Sequence, residues 1–144
     1  MRFFSSWQKM KVGDAVTFCR VFSEGDITSF TGITGDFNPI HMDPGTAKKC
    51  GFKGRVVPGL LTAGLLTHAG GTLLPDPYPA AGMSFRFLAP VYVGETIKAT
   101  VTVAEKDPVK NKLTLQMTCT NPEGRVVLEG EVSGKIIPIF SAGQ

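Results

Sequence analysis

Histidine is scarce in this chain: 144 residues contain two, with one tryptophan and three cysteines. The three thiols, Cys19, Cys50 and Cys119, are odd in number and show no Cys-x-x-Cys spacing. That argues against a disulfide framework or a thiolate metal site and predicts a reduced, intracellular setting. No apolar run approaches the ~20 residues of a membrane-spanning helix. A net charge of +3 without a dense basic stripe excludes a dedicated nucleic-acid binder, although it suits a small anionic ligand. The opening "MRFFSSWQKMK" has no acidic residue, as presequences do. It is short, lacks an amphipathic period and runs straight into a strand, so a cytoplasmic location is expected ahead of an organellar matrix.

What is present fits one globular domain, residues 1–144. Hydrophobic residues make up 42% and charged residues 19%, which separates the chain from disordered sequences. A chain of this length buries roughly two-thirds of its unfolded surface and needs no metal or disulfide to hold a core.

Val12, Val16, Phe18 and Phe22 sit at mostly even spacing and predict a first strand. Ser23 and Asp26 have the spacing of a capping box for a helix that Gly35 ends. Asp43 and Pro44 open a second short helix that Gly51 stops. Residues 58–74 are apolar nearly all round and predict a buried third helix. From residue 81 the period changes to two. Met83, Phe85 and Phe87 alternate, then Ile97 to Val103, then Leu113 to Cys119, then a long run from Val126 to Ile137. The pattern predicts an α+β fold in which an antiparallel sheet wraps one apolar helix.

The stretch "TGDFNPIHMDP" places Asp36, Asn38, Pro39 and His41 within six positions. On a continuous helix Asp36 and His41 would point about 140° apart. Pro39 removes an amide hydrogen and pushes Asn38 toward extended backbone, so a non-helical loop is expected after Gly35. A bend there can aim both side chains at one water. An imidazole, with an ordinary pKa near ~6.5, can take and return its proton. An Asx-type turn with a surface histidine fits the same spacing. In "RVVPGLL" the third helix starts at Pro58-Gly59, where an amide without a side chain to shield it can meet an oxygen that gains negative charge. A proline-capped core helix reads the same way.

Taken together, "TGDFNPIH", "VVPGLLTAGL" and "MSFRFLAPVYVGETIKATVTV" resemble, in order, the blocks of the MaoC-like dehydratases and R-specific enoyl-CoA hydratases, over about residues 11–138. The resemblance implies a hot-dog fold and a homodimer with sheets joined edge to edge. It implies reversible hydration of a trans-2-enoyl thioester, carried by coenzyme A or an acyl carrier protein, with no metal or redox cofactor. By the same resemblance Asp36 and His41 are the catalytic pair, Asn38 the supporting amide and Gly59 the oxyanion donor. Two departures bear on pocket contacts: Pro58 stands where many members have histidine, and Gly64 where some have serine. Lys53 and Arg55 are expected to attract the carrier's phosphates, and Arg86 to face the ligand tail. His68, without a carboxylate beside it in sequence, is expected to be structural. A hot-dog thioesterase is the alternative enzyme, although residues 58–74 hold no Asp or Glu. A non-catalytic acyl-thioester-binding module is the other alternative.

Overall fold

A computed structural model of the protein describes residues 3–139. The chain runs β1 (Ala15–Val21), α1 (Glu24–Thr34), α2 (Pro39–Met42), α3 (Pro44–Lys49), α4 (Gly59–Ala63) and α5 (Leu65–His68). A π-helical turn (Ala69–Leu73) follows, then β2 (Ala80–Phe87), β3 (Thr96–Asp107), β4 (Lys112–Thr120) and β5 (Val126–Lys135). The five strands form one sheet in the order β1-β3-β4-β5-β2, and every pair is antiparallel.

The period-two pattern carries the core. Ile97, Ala99, Val101 and Val103 of β3 are fully buried, as are Leu115 and Cys119 of β4. They face the segment 59–73, of which Leu66, Ala69 and Leu73 are fully buried. The outward residues of β5, Glu129, Glu131, Ser133 and Lys135, are exposed. Strand β2 departs from its pattern. Met83 and Phe87 are 45% and 55% exposed, because β2 is an edge strand with a partner on one side only. Phe85 leans over Gly130 of β5, where an added Cβ would lie 2.8 Å from its ring.

Two expected elements differ. The buried helix over 58–74 is not continuous: it divides at Gly64 and ends in the π-helical turn. Gly64, Gly70 and Gly71 lower helix propensity there, and Thr67 Oγ1 donates to the Gly64 carbonyl at 2.5 Å. Leu60 is 61% exposed rather than buried. The loop after Gly35 is also shorter than expected. Only residues 35–38 are irregular, and Pro39 then starts the helical turn α2. Proline is suited to the first position of a helix, where its missing N–H is not needed.

The segment from Phe4 to Met10 belongs to the fold. Phe4 N–H donates to the Leu73 carbonyl at 2.9 Å. Lys106 Nζ donates to the carbonyls of Trp7 and Met10 at 2.6 and 2.8 Å and lies 4.5 Å from the Trp7 ring centre.

Candidate active site

The site is built from the end of α1 upward. Ser23 and Asp26 form the expected reciprocal cap: Ser23 N–H donates to Asp26 Oδ2 at 2.8 Å, and Asp26 N–H donates to Ser23 Oγ at 3.1 Å. Hydrogen bonding from the Ser23 backbone N–H, and then from the Ser23 side chain, holds the Asp26 carboxyl below its ordinary range. Gly35, at φ 76°, closes α1 in the left-handed conformation that glycine adopts without penalty. The chain leaves in a new direction. Asp36 N–H donates to Thr34 Oγ1 at 3.2 Å, and Asp36 Oδ1 accepts from Asn38 N–H at 3.2 Å. Asn38 Oδ1 in turn accepts from Ile40 N–H at 3.3 Å and caps α2. Each short polar side chain here is used on backbone, as turn residues use theirs.

This course carries His41 inward. Its Nδ1 lies 2.7 Å from the Val56 carbonyl. A carbonyl only accepts, so Nδ1 bears the hydrogen, and in the neutral ring Nε2 presents its lone pair. Nε2 stands 3.7 Å from Asp36 Oδ2. The imidazole is 10% exposed and the carboxylate 45%, so the carboxylate stands at the mouth and the imidazole inside. The pair is thus shielded from solvent on the imidazole side only.

Arg55 locks this turn. Its Nε donates to the His41 carbonyl at 2.6 Å, and its Nη1 lies 3.6 Å from Glu24 Oε1. The Val56 N–H donates to the Ile40 carbonyl at 2.9 Å, and the Val57 N–H donates to the Val91 carbonyl at 2.8 Å. The α2 turn is therefore fastened to the segment that leads into α4.

Asp36 and His41 border a cavity of about 540 Å³. Gly59 and Thr62 of α4 line it as well, and Phe30, Phe52, Val57, Phe87, Val91 and Leu128 are part of its apolar wall. Pro58 caps α4 without a side-chain hydrogen bond. The Gly59 N–H has no acceptor among the described residues. A Cβ on Gly59 would lie 2.8 Å from Phe87 Cε1, so the close approach of that ring requires glycine.

The remaining expected contacts lie elsewhere. Pro58 is buried beneath the start of α4 and does not line the cavity. Gly64 borders a second cavity of about 680 Å³ with Arg20, Asp26 and His68. There the His68 ring meets Phe18 edge-on at 4.7 Å, and burial, then Arg20, lowers its pKa. The Lys53 ammonium is exposed, 3.9 Å from Glu123 Oε1. Lys53 and Arg55 border a hollow that also holds Glu24 and Glu95, so the basic cluster is balanced by acids. Arg86 lies opposite Glu129 on the outer side of the sheet, beside Gln116 and Glu131, and not in the cavity, because its neighbours Phe85 and Phe87 take the other face. Sequence reading missed Thr62 and Phe87 as wall residues. A polar residue three positions after Gly59, on the same helical face, was the available signal for Thr62.

Among the described residues no cluster of three or more His, Cys, Asp or Glu side chains forms a metal site. Nor is any helix among them long and apolar enough to cross a membrane.

A sequence model of the MaoC like domain matches residues 6–123. An (R)-specific enoyl-CoA hydratase of Rhodospirillum rubrum is 38% identical over 128 residues, covering 88% of each chain. A mitochondrial 3-hydroxyacyl-(acyl-carrier-protein) dehydratase of Arabidopsis thaliana is 33% identical over 135 residues, covering 90% of this chain and 78% of the relative. The solved structure of an (R)-hydratase from A. caviae superposes with a TM-score of 0.84 at 29% identity, over 90% of this chain and 99% of that one. The sheet wrapped on its central helix is the hot-dog fold of these structures.

Proposed function

This chain belongs to the MaoC-like dehydratase family, and from that membership we propose that it is a hydro-lyase adding water to trans-2-enoyl thioesters to give (R)-3-hydroxyacyl thioesters, and reversing the reaction. The observation that carries the reading is the pair His41 Nε2 and Asp36 Oδ2, 3.7 Å apart at one cavity with the open Gly59 N–H.

Both atoms are acceptors when the ring is neutral and the acid ionised. One water can donate a hydrogen to each. As its oxygen bonds to C3, the water gives up one proton to the pair. The C2–C3 π electrons move toward the thioester carbonyl, whose oxygen gains charge and is met by the Gly59 N–H. The proton held by the pair then passes to C2, so hydroxyl and hydrogen are both added and nothing is left over. Dehydration runs through the same positions in reverse. Asn38, whose side chain caps α2, acts as a positioning residue.

The carrier is coenzyme A or an acyl carrier protein, since the relatives named above include one of each kind. A homodimer formed through the open edge of β2, where Met83 and Phe87 are exposed, and a cytoplasmic setting complete the proposal. Incubation with crotonyl-CoA in heavy water tests it. The expected product is (R)-3-hydroxybutyryl-CoA with deuterium at C2. Release of free coenzyme A without hydration would instead mark a thioesterase, and binding without either reaction a non-catalytic module.

A further inference from the structure

Thr62 is 2% exposed, and among the described residues its Oγ1 is buried without a hydrogen-bond partner. This sets it apart from other helical threonines of the chain. Thr28, Thr31, Thr34 and Thr67 each return their hydroxyl to a carbonyl of their own helical turn, at 2.5–3.1 Å. The Pro58 carbonyl, four residues before Thr62, accepts from Leu61 N–H at 2.9 Å and Thr62 N–H at 3.3 Å but takes no hydrogen bond from Thr62 Oγ1. A buried hydroxyl left unmade costs stability, so one that persists calls for an explanation.

Thr62 borders the same cavity as Asp36 and His41. It lies three residues after Gly59, hence on the same face of α4. Helical side chains lean toward the helix amino end, so a residue covers the turn before its own Cα. The turn that Thr62 covers is the one bearing the open Gly59 N–H. The cavity is lined mostly by apolar side chains, and neither of its side-chain acceptors, Asp36 and His41, is hydrogen-bonded to Thr62 Oγ1. The Thr62 hydroxyl hydrogen is therefore free to meet an acceptor that enters the cavity.

We propose that Thr62 is a further substrate-contacting residue of this site: its Oγ1–H donates to the thioester carbonyl oxygen of the bound acyl group, alongside the Gly59 N–H. This rests on the thioester reading above. A donor at that place strengthens as the oxygen gains charge, so it acts on the rate as well as on binding.

Two ligands that differ only at the carbonyl provide the test: butyryl-CoA, a thioester, and S-butyl-CoA, the thioether without that oxygen. Thr62→Val keeps the shape and removes the donor; Thr62→Ser keeps the donor. For Thr62→Val, Kd for butyryl-CoA should rise roughly tenfold, as for one lost hydrogen bond, while Kd for S-butyl-CoA stays unchanged. Its kcat for crotonyl-CoA should fall by roughly 10²-fold, and Thr62→Ser should restore both values. The Tm of Thr62→Val should equal or exceed that of the wild type, because no internal bond is lost. Equal changes for the two ligands, or none, overturn the assignment and leave hydration by Asp36 and His41 standing. A fall in Tm beyond about 4 °C would show that the hydroxyl is partnered within the fold, which overturns it too. Wild-type protein that binds both ligands but fails to hydrate crotonyl-CoA defeats the reaction assigned above, and the thioester–thioether comparison still reads Thr62. Failure to bind butyryl-CoA at all defeats both.

Discussion

The bond from His41 Nδ1 to the Val56 carbonyl decides which ring nitrogen is left for chemistry. It is a main-chain acceptor, so it fixes the tautomer whatever side chains surround the ring. Asp36 is similarly divided, one oxygen holding the Asn38 N–H and the other facing His41. The thiols differ in the same residue-by-residue way. Cys119 is fully buried, and burial pushes its pKa up to about 12, whereas Cys19 and Cys50 are exposed. A disulfide-exchange titration of the native protein should therefore find two thiols, with Cys119 appearing only on unfolding; three fast thiols would contradict the packing of β4. His68 gives a pH dependence. Its folded pKa lies below the ordinary 6.5, so the unfolded chain binds its proton first as pH falls. Stability from this group is full above about 6.5 and declines as pH drops through the folded value. His68→Gln should lose less Tm than the wild type between about pH 7 and about pH 5; parallel losses would contradict it.

At the scale of elements, α2 matters more than its four residues suggest, because it carries His41 and is fastened by Arg55. Arg55→Met should lower stability by roughly 1.5–3 kcal/mol, the range for a hydrogen bond to a charged group, and should lower kcat. If the guanidinium instead gripped a phosphate of the carrier, KM alone would rise and would do so with a salt dependence. Ser23→Ala should cost about 1 kcal/mol through loss of the α1 cap, read from a urea melt. Both caps were legible in the sequence, since Ser-x-x-Asp and Asp-Pro act within one turn. The α2 turn was not, because Pro39 reads equally as the end of one helix or the first residue of the next. The break at Gly64 was hidden for a similar reason. Glycine lowers propensity in a helix without saying where tertiary packing will let it part.

For the molecule as a whole, β3 and β4 were legible because one face of each lies on the core, which a period of two records directly. Strand β2 carries the same alternation with much of its apolar surface exposed. Nothing in one chain's sequence states which strand will lie at the edge. Spacing alone left Asp36 and His41 open to an Asx-type turn and Gly59 to a proline-capped core helix, and the family resemblance pointed to their meeting at one cavity; the positions of Lys53, Arg55 and Arg86 were not legible, because surface charges find partners across the fold. An open edge of this kind seeks a second strand. In the proposed dimer, Met83→Glu, which sets a charge on that edge of each copy, should shift the protein from dimer to monomer in size-exclusion chromatography. An unchanged elution volume would place the interface elsewhere.

One measurement bears most directly on the pairing of Asp36 with His41: kcat for crotonyl-CoA hydration by Asp36→Asn and His41→Ala, each shown by circular dichroism to keep the native fold. Each substitution should reduce kcat on the order of 10²-fold or more, and the double variant should lose little beyond the worse single one, since the two groups hold a single water. Near wild-type turnover in either folded variant, or fully additive losses, would contradict the pair.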